Sequence, residues 1–151
     1  MVEIEAKNEI NLPTQWTLPA QSFRKMGVAV GKDITENVRA GTVPGGGGQK
    51  RNAPSTIERK RKQGKPPLPL CDTGKRFYDG KFDIKAVPGF VRISLLDDGK
   101  DGAKDVMVRL VKRGYKPIMR ISPAAEFDVM NIFERDIKAM VDTQVMRRGK
   151  H

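Results

Sequence analysis

The chain has a single cysteine and a single histidine, and that scarcity removes most of the catalytic repertoire at the outset. A disulfide within the chain needs a second cysteine, and a cysteine-rich metal cage needs several, so Cys71 can build neither. The lone histidine is His151, which supplies no base near Cys71 in sequence for nucleophilic catalysis. The expectation is a protein that is not an enzyme, with no catalytic residues, no cofactor and no metal. One unpaired thiol fits a reducing compartment. Long hydrophobic runs are also missing: a charged residue interrupts every apolar stretch before the roughly 18 residues that a membrane span requires. The opening residues, MVEIEAKNEINLP, have neither the basic start nor the apolar centre of a secretory signal. The chain is therefore expected in the cytosol when made, without membrane contact. Its 151 residues suffice for one domain spanning 1–151, with few aromatics to enlarge the core.

Positive charge is abundant. Lys and Arg number 29 against 18 Asp and Glu, a formal net charge of +11 that suits nucleic acid, an anionic membrane or an acidic protein partner. The densest cluster is Lys50, Arg51, Arg59, Lys60, Arg61, Lys62 and Lys65, a candidate contact for DNA or an acidic partner. Its plain alternative is a solvated face. No aromatic residue is interleaved for base stacking, so contact would be with the phosphate backbone and not specific for sequence.

Two partial motifs carry less than they suggest. The run Gly45, Gly46, Gly47, Gly48 is followed by Gln49 and Lys50, without the Gly-Lys-Ser/Thr ending or the strand and helix that frame a phosphate-binding loop. At Gly64 and Lys65 the next residue is Pro66, which offers no backbone donor. The acidic segment with Asp97, Asp98 and Asp101 lacks the spaced ligands and closing glutamate of a calcium loop and reads as a solvated turn.

Periodicity predicts an α+β fold. Val2 to Ala6 alternates as a short strand. Phe23, Met26, Val30, Ile34 and Val38 recur at spacings of three and four and predict a long N-terminal helix over about 21–39, with Gly41 as its left-handed cap and Gly27 and Gly31 marking close packing. Residues 41–69 turn to glycine, proline and cations and read as a long extended basic loop, a flexible arm whose glycine run holds no single conformation unaided. Inside it, Ser55 to Glu58 has the form of a capping box for a short helix from Thr56 to about Gln63. Two β-rich runs flank Pro88 and Gly89 and predict a hairpin over about 82–95. Residues 103–113 favour a helix over a strand. Ser122 and Pro123 open a C-terminal helix to about 145, with Phe127, Met130, Ile132, Phe133, Ile137, Met140 and Val141 on one broad apolar face. The two long helices are expected to pack the small sheet.

Ala53-Pro54-Ser55-Thr56-Ile57-Glu58-Arg59-Lys60, then Gly64-Lys65-Pro66-Pro67, then Leu70-Cys71-Asp72-Thr73-Gly74-Lys75, together resemble a pattern of the phage virion morphogenesis and neck-protein family. That pattern is a Thr-Ile helix, a Gly-Lys-Pro turn and a Leu-x-Asp-Thr-Gly step, followed by a strand hairpin and a segment before the last helix similar to Lys116-Pro117-Ile118-Met119-Arg120. The resemblance spans roughly residues 40 to 145. The chain departs from the family at Lys75 to Tyr78, and the region Gly48 to Pro54, where the family has a tryptophan-containing segment before the Thr-Ile helix, contains no tryptophan, the only one being Trp16. The resemblance implies a structural virion protein, a homo-oligomeric and commonly hexameric ring in the neck or at the tail-proximal end. Its partners would be connector or head-closure proteins, tail proteins and, without sequence preference, the DNA in the lumen. Gly45, Gly46, Gly47, Gly48, Pro66 and Pro67 are the candidate subunit-interface arm. The alternative from charge alone is a basic cellular nucleic-acid-binding protein.

Overall fold

The computed structural model describes residues 2–5, 17–70, 82–96 and 102–149. Trp16, Cys71 with the rest of the Asp-Thr-Gly step and Lys75 to Tyr78, Asp97, Asp98, Asp101 and His151 lie outside the described residues. The elements in chain order are β1 (Val2–Glu5), α1 (Ala20–Ala40), β2 (Thr42–Val43), β3 (Gly47–Gly48), α2 (Pro54–Lys62), β4 (Phe82–Val87), β5 (Phe90–Leu95), α3 (Ala103–Lys112) and α4 (Pro123–Arg148). The fold is α+β: one antiparallel sheet in the order β1-β5-β4 and the small β2-β3 pair, with α1 packed between the sheet and α4.

Helix α1 forms where the apolar spacing predicts it, and Phe23, Met26, Val30, Ile34 and Val38 are all at most 2% exposed. It stops at Gly41, whose φ of 71° lets its N–H reach back to the carbonyls of Asn37 and Val38. The β4-β5 hairpin turns at Pro88 and Gly89 with Ile84 opposite Ile93, and β1 pairs along the other edge of β5 with Val2 opposite Ile93. Val2, Val91, Ile93 and Leu95 are buried toward α1, while Lys85 and Arg92 alternate outward into solvent.

The two helix glycines set the distance between these layers. A β-carbon on Gly27 would lie 2.8 Å from Ile84 Cγ2 and 2.9 Å from Val91 Cγ2, and one on Gly31 would lie 3.1 Å from the Phe82 ring. The hairpin thus rests on the bare backbone of α1. On its other side α1 meets α4, where Lys25 Nζ is 3.4 Å from Asp136 Oδ2. Burial by itself would raise the Asp136 pKa, but hydrogen bonds from Ser22, Arg135 and Lys25 outweigh it and hold the carboxyl below its ordinary value.

Three expectations are corrected in detail. Helix α2 starts at Pro54 after Ala53, with no side-chain cap, so Ser55 lies inside the first turn and the capping box does not form. Proline presets the backbone angle of a first helical residue, and Glu58 turns forward to Lys62 at 3.0 Å. The stretch read as a loop also carries the β2-β3 hairpin. Helix α4 is capped as expected, with the Ser122 hydroxyl accepting from the Ala125 N–H at 3.1 Å, but its apolar side chains do not share one buried face. Val129, Ile132, Phe133, Ile137 and Met140 pack against the core, whereas Phe127 and Met130 are 67% and 49% exposed. The helix has apolar residues on more of its circumference than its neighbours cover. No helix among the described residues is long and apolar enough to cross a membrane.

Because glycine weakens a helix interior, Gly27→Ala would ordinarily stabilise α1 by about 0.5–1 kcal/mol. Here the added methyl must push Ile84 and Val91 apart, and Gly27→Ala is expected to destabilise the protein by about 1–3 kcal/mol in denaturant unfolding. A gain in stability would contradict the close contact between α1 and the hairpin.

Candidate functional site

The glycine run is held in place by its neighbours. Val43 to Gly46 forms a turn in which the Gly46 N–H donates to the Val43 carbonyl at 2.9 Å, with Pro44 and Gly45 at the centre and φ of 64° at Gly45. A positive φ at the third position of such a turn selects glycine. The tip lies against the start of α4, since a β-carbon on Gly45 would be 3.5 Å from Pro123 Cδ. Past the turn, the Gln49 N–H donates to the Gly41 carbonyl at 2.9 Å and closes the hairpin onto the end of α1.

The buried side chain of Gln49 then joins this hairpin to the segment after α3. Its Nε2 donates to the Lys116 carbonyl at 2.8 Å, and its Oε1 accepts from the Lys116 N–H at 2.7 Å. The amide pairs with the backbone of residue 116 as a strand neighbour would. Lys116 returns the contact, its ammonium donating to the Gly48 carbonyl at 2.9 Å. Lys50 does the same in the other direction, donating to the Arg113 carbonyl and lying 5.4 Å from the centre of the Tyr115 ring.

Asn52 adds a third segment. Its Oδ1 accepts from the Tyr115 hydroxyl and its Nδ2 donates to the Pro67 carbonyl, each at 3.1 Å. Residues 50–52, 65–67 and 113–116 therefore meet around one largely buried amide. The loop that follows α2 is further held by Lys60, which is 1% exposed and donates from Nζ to the Leu68 carbonyl at 2.7 Å.

The sequence-predicted cations accordingly divide by role. Lys60 is turned inward and cannot contact a polyanion, a correction to its place among the candidates; charge density alone does not reveal that a lysine's stem is packed and its ammonium satisfied. Lys50 bridges two backbone segments. Arg51, Arg59, Arg61, Lys62 and Lys65 are exposed. Of the arm residues, Gly45, Gly47, Gly48, Pro66 and Pro67 are exposed, Gly45 beside the start of α4, while Gly46 is half-buried next to Val43.

The fold brings to this cluster a second set of cations that linear reading missed: Lys112, Arg113 and Lys116, with Arg120 close to the glycine turn. Residues 106–120 contain no carboxylate, and Glu58 is the only one in 49–70. That acid-free run was visible in the sequence, but its place beside Lys50 depends on Gln49 and Asn52. Arg51, Arg61, Lys65, Lys112 and Arg113 are exposed and form no ion pair among the described residues. Such a surface concentrates positive potential and can exchange counterions for phosphate or carboxylate groups. No group of three or more His, Cys, Asp or Glu side chains that could hold a metal occurs among the described residues.

Lys60→Ala would leave a loop carbonyl without its donor and a void beneath α2, at an expected cost of about 1–3 kcal/mol. Arg61→Ala, one residue on and exposed, should alter stability by no more than about 0.5 kcal/mol. Thermal unfolding of the two variants checks this; equal effects would contradict the division into bridging and displayed cations. In comparisons with known proteins, no family model, no curated protein and no solved structure matches the chain.

Proposed function

We propose that this protein is a structural subunit of a phage virion, a neck or tail-completion protein that assembles with its own copies into a ring joining the head connector to the tail around the DNA path. The observation that carries the reading is the convergence of three cation-bearing segments, held together by Gln49 and Asn52, in a chain whose α4 leaves apolar residues exposed elsewhere. A lumen-facing subunit needs a surface tolerant of passing phosphate and further surfaces for protein neighbours, and these two features supply both. Ring assembly is the finer part of the proposal and rests on the resemblance of the Thr-Ile-Glu-Arg-Lys helix, the Gly-Lys-Pro turn and the Asp-Thr-Gly step to the neck-protein family.

The same cationic face supports a second reading, a cellular protein that binds nucleic acid as a free monomer. In that case binding should be tight and strongly salt-dependent, with a slope of log affinity against log salt of about −0.9 for each phosphate neutralised. In the virion reading, the isolated subunit binds duplex weakly and the protein co-purifies with particles or tails.

The deciding experiment is mass measurement and imaging of particles and tail-derived assemblies produced together with this protein. The expected result is a fixed number of copies per particle, located between head and tail. A strict monomer that never enters such assemblies, combined with steep salt-dependent DNA binding, would overturn the virion reading in favour of the second.

A further inference from the structure

Helix α4 carries further apolar residues on a side that no element among the described residues covers. Phe127, Met130 and Val145 are 67%, 49% and 62% exposed, and the partly buried Val141 lies between them on the same side. The series 127, 130, 134, 141 and 145 advances by three, four or seven residues, which keeps it on one side of the helix for about 27 Å. The core-packed residues Val129, Ile132, Phe133, Ile137 and Met140 occupy the neighbouring sector.

The charges along this stripe are arranged in a particular order. Glu134 and Lys138, both exposed, stand at its middle, one on each side of the level of Asp136. Glu126 and Asp128 lie toward the N-terminal end, and Arg147 and Arg148 toward the C-terminal end. Turning a second copy of the helix end for end about the level of Asp136 places Phe127 against Val145 and Glu134 against Lys138, each pair occurring twice, with Met130 one residue away from the level of Val141. A parallel copy would instead set Glu134 against Glu134 and Lys138 against Lys138. The pattern is thus self-complementary in the antiparallel sense only, which is the property required of a two-fold contact in which both copies use the same surface.

Net charge narrows the choice of surface for such a contact. A chain of +11 repels its own copies through the cationic face built around Gln49 and Asn52. Along α4, by contrast, Glu126, Asp128, Glu134, Asp136 and Asp142 nearly balance Arg135, Lys138, Arg147 and Arg148. Two copies can approach there with little repulsion and bury the apolar residues of both.

We infer that the uncovered stripe of α4 is the contact for a second copy of this chain, an antiparallel helix pair with Phe127, Met130, Val141 and Val145 at its apolar ends and reciprocal Glu134 to Lys138 pairs at its centre. The inference does not depend on the virion reading. A two-fold contact closes at two copies, so a ring would need a further, head-to-tail contact elsewhere on the surface.

Sedimentation equilibrium on the full chain provides the test. The wild-type protein is expected to form a concentration-dependent dimer. Glu134→Lys and Lys138→Glu each create two like-charge contacts and should weaken the dimer at least about tenfold. An equimolar mixture of these two variants, one with two lysines and the other with two glutamates at the centre, should recover wild-type affinity. Phe127→Gln, at an exposed position where folding is not at stake, should weaken the dimer without changing charge. A wild-type protein that stays monomeric at its solubility limit overturns the inference, as does association that neither reversal weakens, or a mixture no tighter than its components. A ring indifferent to both reversals would remove the helix pair and leave the ring reading intact. A dimer that obeys the charge exchange but never enters particles would do the reverse.

Discussion

Helix α1 has to satisfy two different neighbours at once, and the rest of the molecule is arranged around how it does so. Toward the sheet it presents Gly27 and Gly31, so the β4-β5 hairpin approaches until Ile84, Val91 and Phe82 meet helix backbone. Toward α4 it presents Ser22 and Lys25 to the carboxyl of Asp136. The buried stripe from Phe23 to Val38 fills the space between these contacts. The C-terminal end of α1 is then a fixed point: Gly41 reverses the chain there, and the Gln49 N–H returns to the Gly41 carbonyl, so the cationic segment starts from a position the core already defines. A shift of α1 would displace the hairpin, α4 and the basic surface together.

The basic surface depends on a division of labour among its cations. Lys50, Lys60 and Lys116 donate to the carbonyls of Arg113, Leu68 and Gly48 and tie these segments together. Arg51, Arg61, Lys65, Lys112 and Arg113 face solvent around them. Collecting like charges on one face opposes folding of the isolated molecule through self-repulsion, and an anionic partner relieves that repulsion.

Much of the fold is legible in the sequence because local pattern and tertiary environment agree. The three-and-four spacing of α1, the paired β-rich runs around Pro88-Gly89, and Ser122-Pro123 ahead of α4 each specify an element through interactions within a few residues. The departures have a common cause, which is that they depend on partners distant in sequence. Ser55 and Glu58 have capping-box spacing, yet Pro54 starts the helix earlier. The glycine run is a flexible linker by composition and becomes a hairpin because Gln49 and Lys116, 67 residues apart, pair through both ends of an amide. For the same reason Lys60 could not be separated from Arg61 by inspection, and the cations of 112–120 could not be assigned to the same cluster. The apolar residues of α4 were legible as apolar, but which of them face α1 and which face solvent is decided by where the helix crosses its neighbour.

Residues 41–69 are a built part of the fold, tied down by the hydrogen bonds of Gln49, Asn52 and Lys60. Hydrogen exchange of the free protein, resolved to single amides, tests this most directly. The N–H groups of Gln49 and Lys116, which donate to the Gly41 carbonyl and to Gln49 Oε1, are predicted to exchange far more slowly than an unstructured chain. Exchange at those two amides as fast as in an unfolded peptide, while the interior of α1 remains protected, would contradict it.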